Sequence, residues 1–563
     1  MAKWMEIRKG ADFQAIGKQF HITPFTARLI RNKDIVDDAA IQEYLYGGLE
    51  CLYPASLMKG IPEAVCLLQE KIRTGAKIRI IGDYDIDGVC ATYILLKGLR
   101  TVGAKVDTDI PDRKKDGYGL NIELVQRALD AGVDTIVTCD NGIAAPAEIA
   151  FAKEQGMTVI VTDHHELQEI LPPADVIVNP RQPDCDYPFK KLCGAAVAWK
   201  LILELWKQSG YPEEMAYGEL LMFAGFATVG DVMDLVGENR ILVKEALKLL
   251  RGTVHPGMSA LIEVNEIPRD RLAAFYIGFV LGPCINASGR LDTAKRALEL
   301  LDTEIPMLAK ERARELKDLN DDRKELTEKG VEAAIELIES GNLKDDRVLV
   351  VYLPDCHESL AGIIAGRIRE RYYRPVFVLT RGEDAVKGSG RSIETYSMFD
   401  EMTKCKELFA KYGGHPMAAG LSIPEENIDE FRRRINEMCT LTDQELTEVI
   451  HIDMALPFSY VSEAMVEELE LLEPFGKSNT KPVFAARNVQ VLESRVLGRN
   501  GNVLRMKLRD ESGSVLEGIL FCDNMNEVLM DLQKKPMMHI LYYPEINEFR
   551  GQRNLQLRVL NYC

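Results

Sequence analysis

The chain holds twelve cysteines but no C-x-x-C pair, and its longest nearly apolar stretch, around residues 273 to 287 of 563, is too short to cross a bilayer. The first absence argues against a zinc ribbon or a disulfide framework and for reduced thiols. The second, together with an N-terminus (MAKWMEIRKGADF) that has no apolar signal core, leads us to expect a cytoplasmic protein with no membrane partner. Positive charge is also short: 69 Lys and Arg face 87 Asp and Glu, a net of −18. Broad attraction to a nucleic acid is thereby disfavoured, so such a partner must meet a local basic surface or a metal. What remains, 46% hydrophobic and 28% charged residues, is ordinary for a soluble protein of three or four domains.

The most informative stretch follows the apolar residues IRIIG at 78–82, which run straight into DYDIDG. Asp83, Asp85 and Asp87 alternate there, and an extended backbone would point all three carboxylates to one side. Like charges about 4 Å apart repel by roughly 4 kcal/mol per pair at an effective dielectric of ~20, and a bound cation reverses that sign. The form matches half of a calcium EF-hand loop, but Ile94 occupies the twelfth position and a strand precedes the loop, which excludes that reading. A lone DxDxDG serves equally well as a solvated acidic turn.

From residue 61 onward, apolar strands alternate with helical stretches of about 10 to 15 residues: KIRII, KVDTDI, DTIVTC, MTVIV and ADVIVN are separated by amphipathic runs. This predicts a parallel sheet with helices on both faces, whose ligands bind at the carboxyl ends of the strands. Asp140 (in DNG) and Asp163, His164 and His165 (in DHHE) fall at those ends. Adjacent histidines in an extended segment point in opposite directions, so one is expected to ligate a metal and the other to face the substrate or to support the ligands from behind. Carboxylate and imidazole donors suit Mn²⁺, or Mg²⁺ when water completes the shell.

GDYDIDG, IPDRKKDGYGL, CDNG, TDHHE and TVGDVMDLVGENR resemble the successive motifs of the DHH phosphoesterases. Followed by GPCINASGRLD, CHESLAGIIAGRIRERYYRPVFVL, KGSGRS and YGGHPMAAGL, they are similar in order to the RecJ-type single-stranded DNA exonucleases. The resemblance implies a nuclease of DNA repair and recombination that degrades single-stranded DNA to mononucleotides, 5′ to 3′, with two Mn²⁺ or Mg²⁺ ions. A helicase and a single-strand-binding protein would supply its substrate. It implies Asp83, Asp85, Asp87, Asp140, Asp163, His164 and Asp231 as metal ligands, and His165, His415 and Arg391 as catalytic groups. Arg391, Ser392, His357, His415 and Arg290 are implied as substrate contacts. Two positions depart from the pattern: Cys356 stands where a tryptophan is usual, and Cys284 where an arginine is usual. The alternatives are a DHH phosphodiesterase of short RNA or cyclic dinucleotides, and a non-catalytic replication scaffold.

The expected layout is α/β: an N-terminal helical segment (1–60), a parallel-sheet DHH catalytic domain (61–301), a connector helix (302–340), a smaller α/β DHHA1-like domain (341–445), and an OB-fold-like β-barrel (446–563). The run MLAKERARELKDLNDDRKELTEKGVEAAIELIES predicts one long exposed helix, or two broken at Gly330. GGHPMAAG reads as a flexible glycine-rich loop. From Lys481 to Cys563 there are 12 Lys and Arg against 9 Asp and Glu, so this segment is +3 while the whole chain is −18, which suits a single strand. Since the acids precede residue 240 and the barrel follows 480, truncation near Glu448 is expected to separate chemistry from strand capture.

Overall fold

Five strands form an all-parallel sheet in the spatial order Lys105–Asp109, Lys77–Ile81, Thr135–Cys139, Thr158–Thr162, Val176–Val178. The computed structural model describes residues 2–113, 116–117, 119–341, 343–382, 385–498, 501–522, 524–535, 537–549 and 551–563. Lys114, Lys115 and Tyr118 of the IPDRKKDGYGL motif lie outside the described residues. Alternation along each strand decides what it covers. Ile136, Val159 and Val161 pack toward the helices Ile122–Asp130 and Pro146–Glu154. Val137, Cys139 and Ile160 pack toward Ile61–Thr74, Ile86–Thr101 and Gly194–Gln208. Both faces are therefore buried, which is why these strands read as near-continuous apolar runs.

The connector is one unbroken helix, Pro306–Ser340, of 35 residues, about 52 Å long at 1.5 Å per residue. Pro306 opens it at a position where the missing N–H has no partner to lose. Gly330 does not break it: a β-carbon there would sit 2.4 Å from Ile364 Cδ1, so the glycine admits the helix Ala361–Tyr372. Nor is the connector simply exposed. Ala309, Ala313 and Leu316 join the core of the first lobe, and Ala334 and Ile338 that of the second.

The second lobe carries a mixed sheet ordered Lys411–His415, Ala418–Ile423, Val386–Arg391, Val376–Arg381, Leu349–Tyr352. GGHPMAAG is thus a β-hairpin, with His415 opposite Ala418 across the Pro416–Met417 turn. Its glycines hid the strand pattern, because an alternating face of glycine has no side chain to alternate.

At the C-terminus, Phe484–Leu497, Val503–Arg509, Val515–Phe521, Gln552–Tyr562 and Met537–Phe549 pair in that order, and the last pairs back with the first. The parallel pairing of Val515–Phe521 with Gln552–Tyr562 completes the closed five-stranded barrel expected of an OB-fold. The N-terminal segment is not free-standing. Phe20, Leu29 and Ile41 share one core with Phe484, Val489 and Tyr542, and strand Lys3–Glu6 runs parallel to Val449–Ile452. Arg240 of the first lobe, buried, donates to the carbonyls of Tyr44, Leu472 and Leu471 at 3.0, 3.0 and 3.1 Å. Removing the C-terminal module would leave that buried guanidinium with the Tyr44 carbonyl alone and the N-terminal helices without a core, so the expected clean separation at Glu448 conflicts with this packing.

Candidate metal centre

The turn after strand Lys77–Ile81 does not stay extended. Helix Ile86–Thr101 begins at once, and Asp85 caps it, its Oδ1 accepting from the N–H groups of Asp87 (2.9 Å) and Gly88 (3.1 Å). The acids therefore converge through a strand-to-helix turn and not through the period-two spacing of a strand. A β-carbon at Gly88 would fall 2.5 Å from the Asp83 carbonyl oxygen, so only glycine closes the motif. Asp87 in turn accepts from Gly194 (2.6 Å) and Ala195 (2.8 Å) at the amino end of helix Gly194–Gln208. Backbone donors and a helix dipole hold this carboxylate in place.

Asp140 takes a left-handed conformation (φ 59°), which aspartate tolerates better than most residues. The side chain of Asn141 laces the neighbouring strand ends, donating to Ile81 O (3.1 Å) and Cys139 O (2.9 Å). The DNG turn is thus both a turn and the mount for an acid. Asp109, at the end of the edge strand, is instead paired with Lys295 (2.8 Å) and Arg127 (3.2 Å).

Three sets of donor atoms lie mutually within 4.8 Å: Asp83, Asp85 and Asp140; Asp87, His164 and Asp231; Asp140, His164 and His165. His164 Nε2 is 3.1 Å from Asp140, 3.6 Å from Asp87 and 3.9 Å from Asp231. The two histidines do not diverge as expected. The strand has ended at Thr162, their rings are 4.3 Å apart, and His165 Nδ1 also comes within 4.0 Å of Asp140. Asp163 falls outside the three sets. It accepts from the N–H groups of Ile143, His164 and His165 and from His165 Nδ1 (2.8 Å), which makes it the mount of the histidines. Asp231 ends helix Glu219–Gly230, and its loop is braced from the C-terminal module by Leu235 N–H to Lys477 O (2.9 Å) and Ser478 Oγ to Asp234 (2.8 Å).

Without a cation this cluster is electrostatically strained. Burial, then the neighbouring acid charges, pushes Asp83 and Asp231 up to about 8 and raises Asp85 and Asp140 as well. Burial would lower His165, yet the hydrogen bond and charge of Asp163 lift it to about 9; Asp163 itself, despite its burial, is held below the usual carboxylate range by that same partner. Burial depresses His164. Asp83 Oδ1 and His164 Nδ1 are buried without a hydrogen-bond partner among the described residues. Hard oxygen and imidazole donors, orphaned buried atoms and mutually repelling acids together fit a divalent cation such as Mn²⁺ or Mg²⁺.

A cavity of about 840 Å³ separates the lobes, with Tyr84 and Arg113 on the metal side and His357, Arg381, Lys387 and Lys411 opposite. The Arg113 guanidinium lies 5.0 Å above the Tyr84 ring. His357 Nδ1 meets Ser359 Oγ at 2.7 Å. Arg290 crosses between lobes to Ser359 O (2.9 Å); burial, then Arg113 and Arg323, lowers its pKa to about 10. Arg391 and His415 both lie in register with Ala418, so three adjacent strands place them in one row. Arg391 is half-buried and its Nη1 donates to Gly390 O at 2.8 Å; His415 is exposed at the hairpin tip. Ser392 is turned away from the cleft: it is 1% exposed, and its hydroxyl donates to Tyr396 O at 2.7 Å. Sequence reasoning missed Ser389, which strand alternation aligns with Lys387 and Arg391, and also Arg113 and Lys411. Reading KGSGR as a strand would have shown the first of these. Of the two departures, Cys284 is fully buried against Asn320 of the connector (3.6 Å) and Cys356 lines the cleft.

These features define a class. The DHH family N-terminal domain matches residues 77–225, and the DHHA1 domain residues 345–440. The RecJ OB domain matches residues 452–561. The single-stranded-DNA-specific exonuclease RecJ of Bacillus subtilis is 34% identical over 97% of this chain and 69% of its own length. That of Salmonella typhimurium is 35% identical over 95% of each. The crystal structure of RecJ from Thermus thermophilus in complex with Mn²⁺ superposes with a TM-score of 0.84 at 28% identity, covering 100% of this chain and 79% of that one. The chain belongs to the RecJ family. No helix among the described residues is long and apolar enough to cross a membrane.

Proposed function

We propose that this chain is a metal-dependent exonuclease that degrades single-stranded DNA to mononucleotides, 5′ to 3′, in DNA repair and recombination. The observation that carries the reading is the convergence of seven acids and imidazoles from separate strand and helix ends, beside a cationic interlobe cleft. The relatives named as single-stranded-DNA-specific exonucleases support the substrate, and the Thermus protein's Mn²⁺ supports the ion. In this reading Asp83, Asp85, Asp87, Asp140, His164 and Asp231 hold two ions, with His165 beside them and Asp163 as its mount. Residues 61–301 carry the ions, 341–445 grip phosphate and 446–563 hold the strand, with 302–340 joining the lobes. Bound there, such ions supply Lewis acidity, lowering the pKa of water and offsetting charge on phosphoryl oxygens.

The chain's own groups do the rest. With Nδ1–H of His165 committed to Asp163, any proton that His165 gives or takes moves at Nε2. Arg391 offers a planar two-donor fork to a phosphate, in a row with His415, while Lys387 and Lys411 draw the backbone into the cleft. The fold of the barrel and the net positive charge of residues 481–563 suit the trailing strand. An unwound strand is the substrate, so a helicase and a single-strand-binding protein are the partners this reading calls for. Twelve scattered cysteines with no C-x-x-C pair accord with a reducing cytoplasm.

The test gives purified protein single strands labelled at either end, in DNA and RNA versions and as duplex, with Mn²⁺, Mg²⁺ or EDTA. Mononucleotides should leave the 5′ end of single-stranded DNA only when metal is present. Binding without cleavage in both metals overturns the proposal.

A further inference from the structure

Two phenylalanines stand in water on a segment packed against the helix that ends at Asp231, and the chemistry above makes no use of them. Phe275 and Phe279 are 60% and 67% exposed, yet their rings stack on each other at 5.0 Å and 27°. Tyr276 meets Phe275 edge-on at 5.7 Å. The local sequence explains the mount. Pro283 has no N–H to offer the Phe279 carbonyl four residues back, and a proline ring crowds that carbonyl. The chain widens into a π-helical turn, Ile277–Leu281, in which the Gly282 N–H reaches back to Ile277 O. Such turns are frequent at functional sites.

Position singles out this pair among the exposed apolar residues. Ile277 is buried, and Gly278 faces Val229 closely enough that a β-carbon would lie 3.8 Å from Val229 Cγ1. Val229 belongs to the helix that ends at Asp231, and Val232 beyond it is 61% exposed. In the other direction the same stretch touches the barrel, where Arg271 Nη2 donates to Glu548 O at 3.2 Å. Lys477 lies 3.7 Å from Asp234 of the Asp231 loop. The segment thus joins the helix that ends at Asp231 to the barrel, the two bodies that the proposed function has holding the strand. Bases of a duplex are already stacked on their neighbours, whereas an unpaired base offers a flat face of matching size to the open side of the pair.

We propose that Phe275 and Phe279 form a stacking platform for one unpaired base of the strand as it runs between the metal centre and the barrel. This rests on the single-strand nuclease reading and adds to it a specific point of base contact. The experiment scans one abasic residue along a single strand and measures affinity and KM for the full-length protein, for Phe275→Ala/Phe279→Ala and for Phe279→Trp. In the unaltered protein, affinity should fall about tenfold when the abasic residue reaches the platform, the size of one base–aromatic stack. The double alanine variant should melt as the parent does, since both rings are exposed, but show a flat scan and a KM raised by about tenfold. The tryptophan variant should keep the dip in the scan, with its fluorescence quenched by the strand. The same abasic profile in parent and double alanine variant overturns the platform. So does a variant that alters only self-association on sedimentation, which would make the pair a contact between copies. An unaltered protein that fails to cleave single strands in Mn²⁺ condemns the nuclease reading instead, so the two failures are distinguishable.

Discussion

On the sheet side of the interlobe cleft, Asp83, Asp87, Asp140 and Asp163 are at most 2% exposed, with Asp87 and Asp163 fastened by backbone donors, while on the opposite side Lys411, Tyr412 and His415 stand in water. The acids are brought together at a cost in repulsion and desolvation that only a cation relieves. Lys387 and Lys411 of the other wall are solvated and Arg391 is only half-buried, so their positions cost the fold less. One wall is therefore a rigid cage whose stability depends on its contents, and the other an adaptable surface that acts when substrate arrives.

The largest effect should come from the body that braces the cage. Truncation near Glu448 removes the Lys477 and Ser478 contacts to the Asp231 loop and two of the three carbonyl acceptors of Arg240. The remainder should lose its cooperative melt and its hydrolysis of even very short oligonucleotides. A truncated protein that melts cooperatively and still cleaves them would show that the cage stands alone.

Within the cage, Asp140→Asn keeps a residue at ease with φ near 59° but removes one ligand charge. Turnover should fall by about a thousandfold, or ~4 kcal/mol of transition-state stabilisation. The metal-free variant should at the same time melt higher than the parent, because a buried repelling acid is gone. A lower melting temperature would mean that Asp140 is held by something other than a cation.

The same strain sets a pH dependence. Asp83 and Asp231 ordinarily titrate near 3.8 but lie at about 8 in the metal-free fold, so the stability they contribute is complete below about pH 4 and is lost as pH rises through about 8. Thermal melts in EDTA should therefore decline across that window, and the gain on adding Mn²⁺ should grow from pH 5 to pH 8. A Mn²⁺ gain independent of pH would remove these two acids from the ligand set.

The cationic wall should respond more mildly. Arg391→Lys replaces a planar fork with a point charge and should lower kcat/KM by about tenfold, roughly 1.4 kcal/mol, without changing the melt. Ser392→Ala should do the reverse. Its hydroxyl holds Tyr396 O, so about 1 kcal/mol of stability goes while kcat/KM stays within about twofold. Kinetics that respond to Ser392 and ignore Arg391 would reverse the assignment on this wall.

The sequence by itself determined the parallel sheet and the strand ends that bear Asp140 and Asp163. It did so because a strand buried on both faces must be apolar throughout, and an acid at its end breaks that run visibly. It also determined the five barrel strands, which alternate plainly. Asp231 came only by resemblance, since an acid closing a helix looks the same whether it caps or binds. The tertiary structure alone decided what long-range contacts decide: that DYDIDG turns into a helix whose cap is Asp85, that both histidines face Asp140, that Ser392 points inward, and that the first 46 residues share the barrel's core. The Asp85 cap and the Ser392 bond are closed by near neighbours, but their setting depends on groups far apart in the chain, such as Asp87 meeting Gly194 or Arg240 meeting Leu472, and local periodicity carries no trace of a partner a hundred residues away.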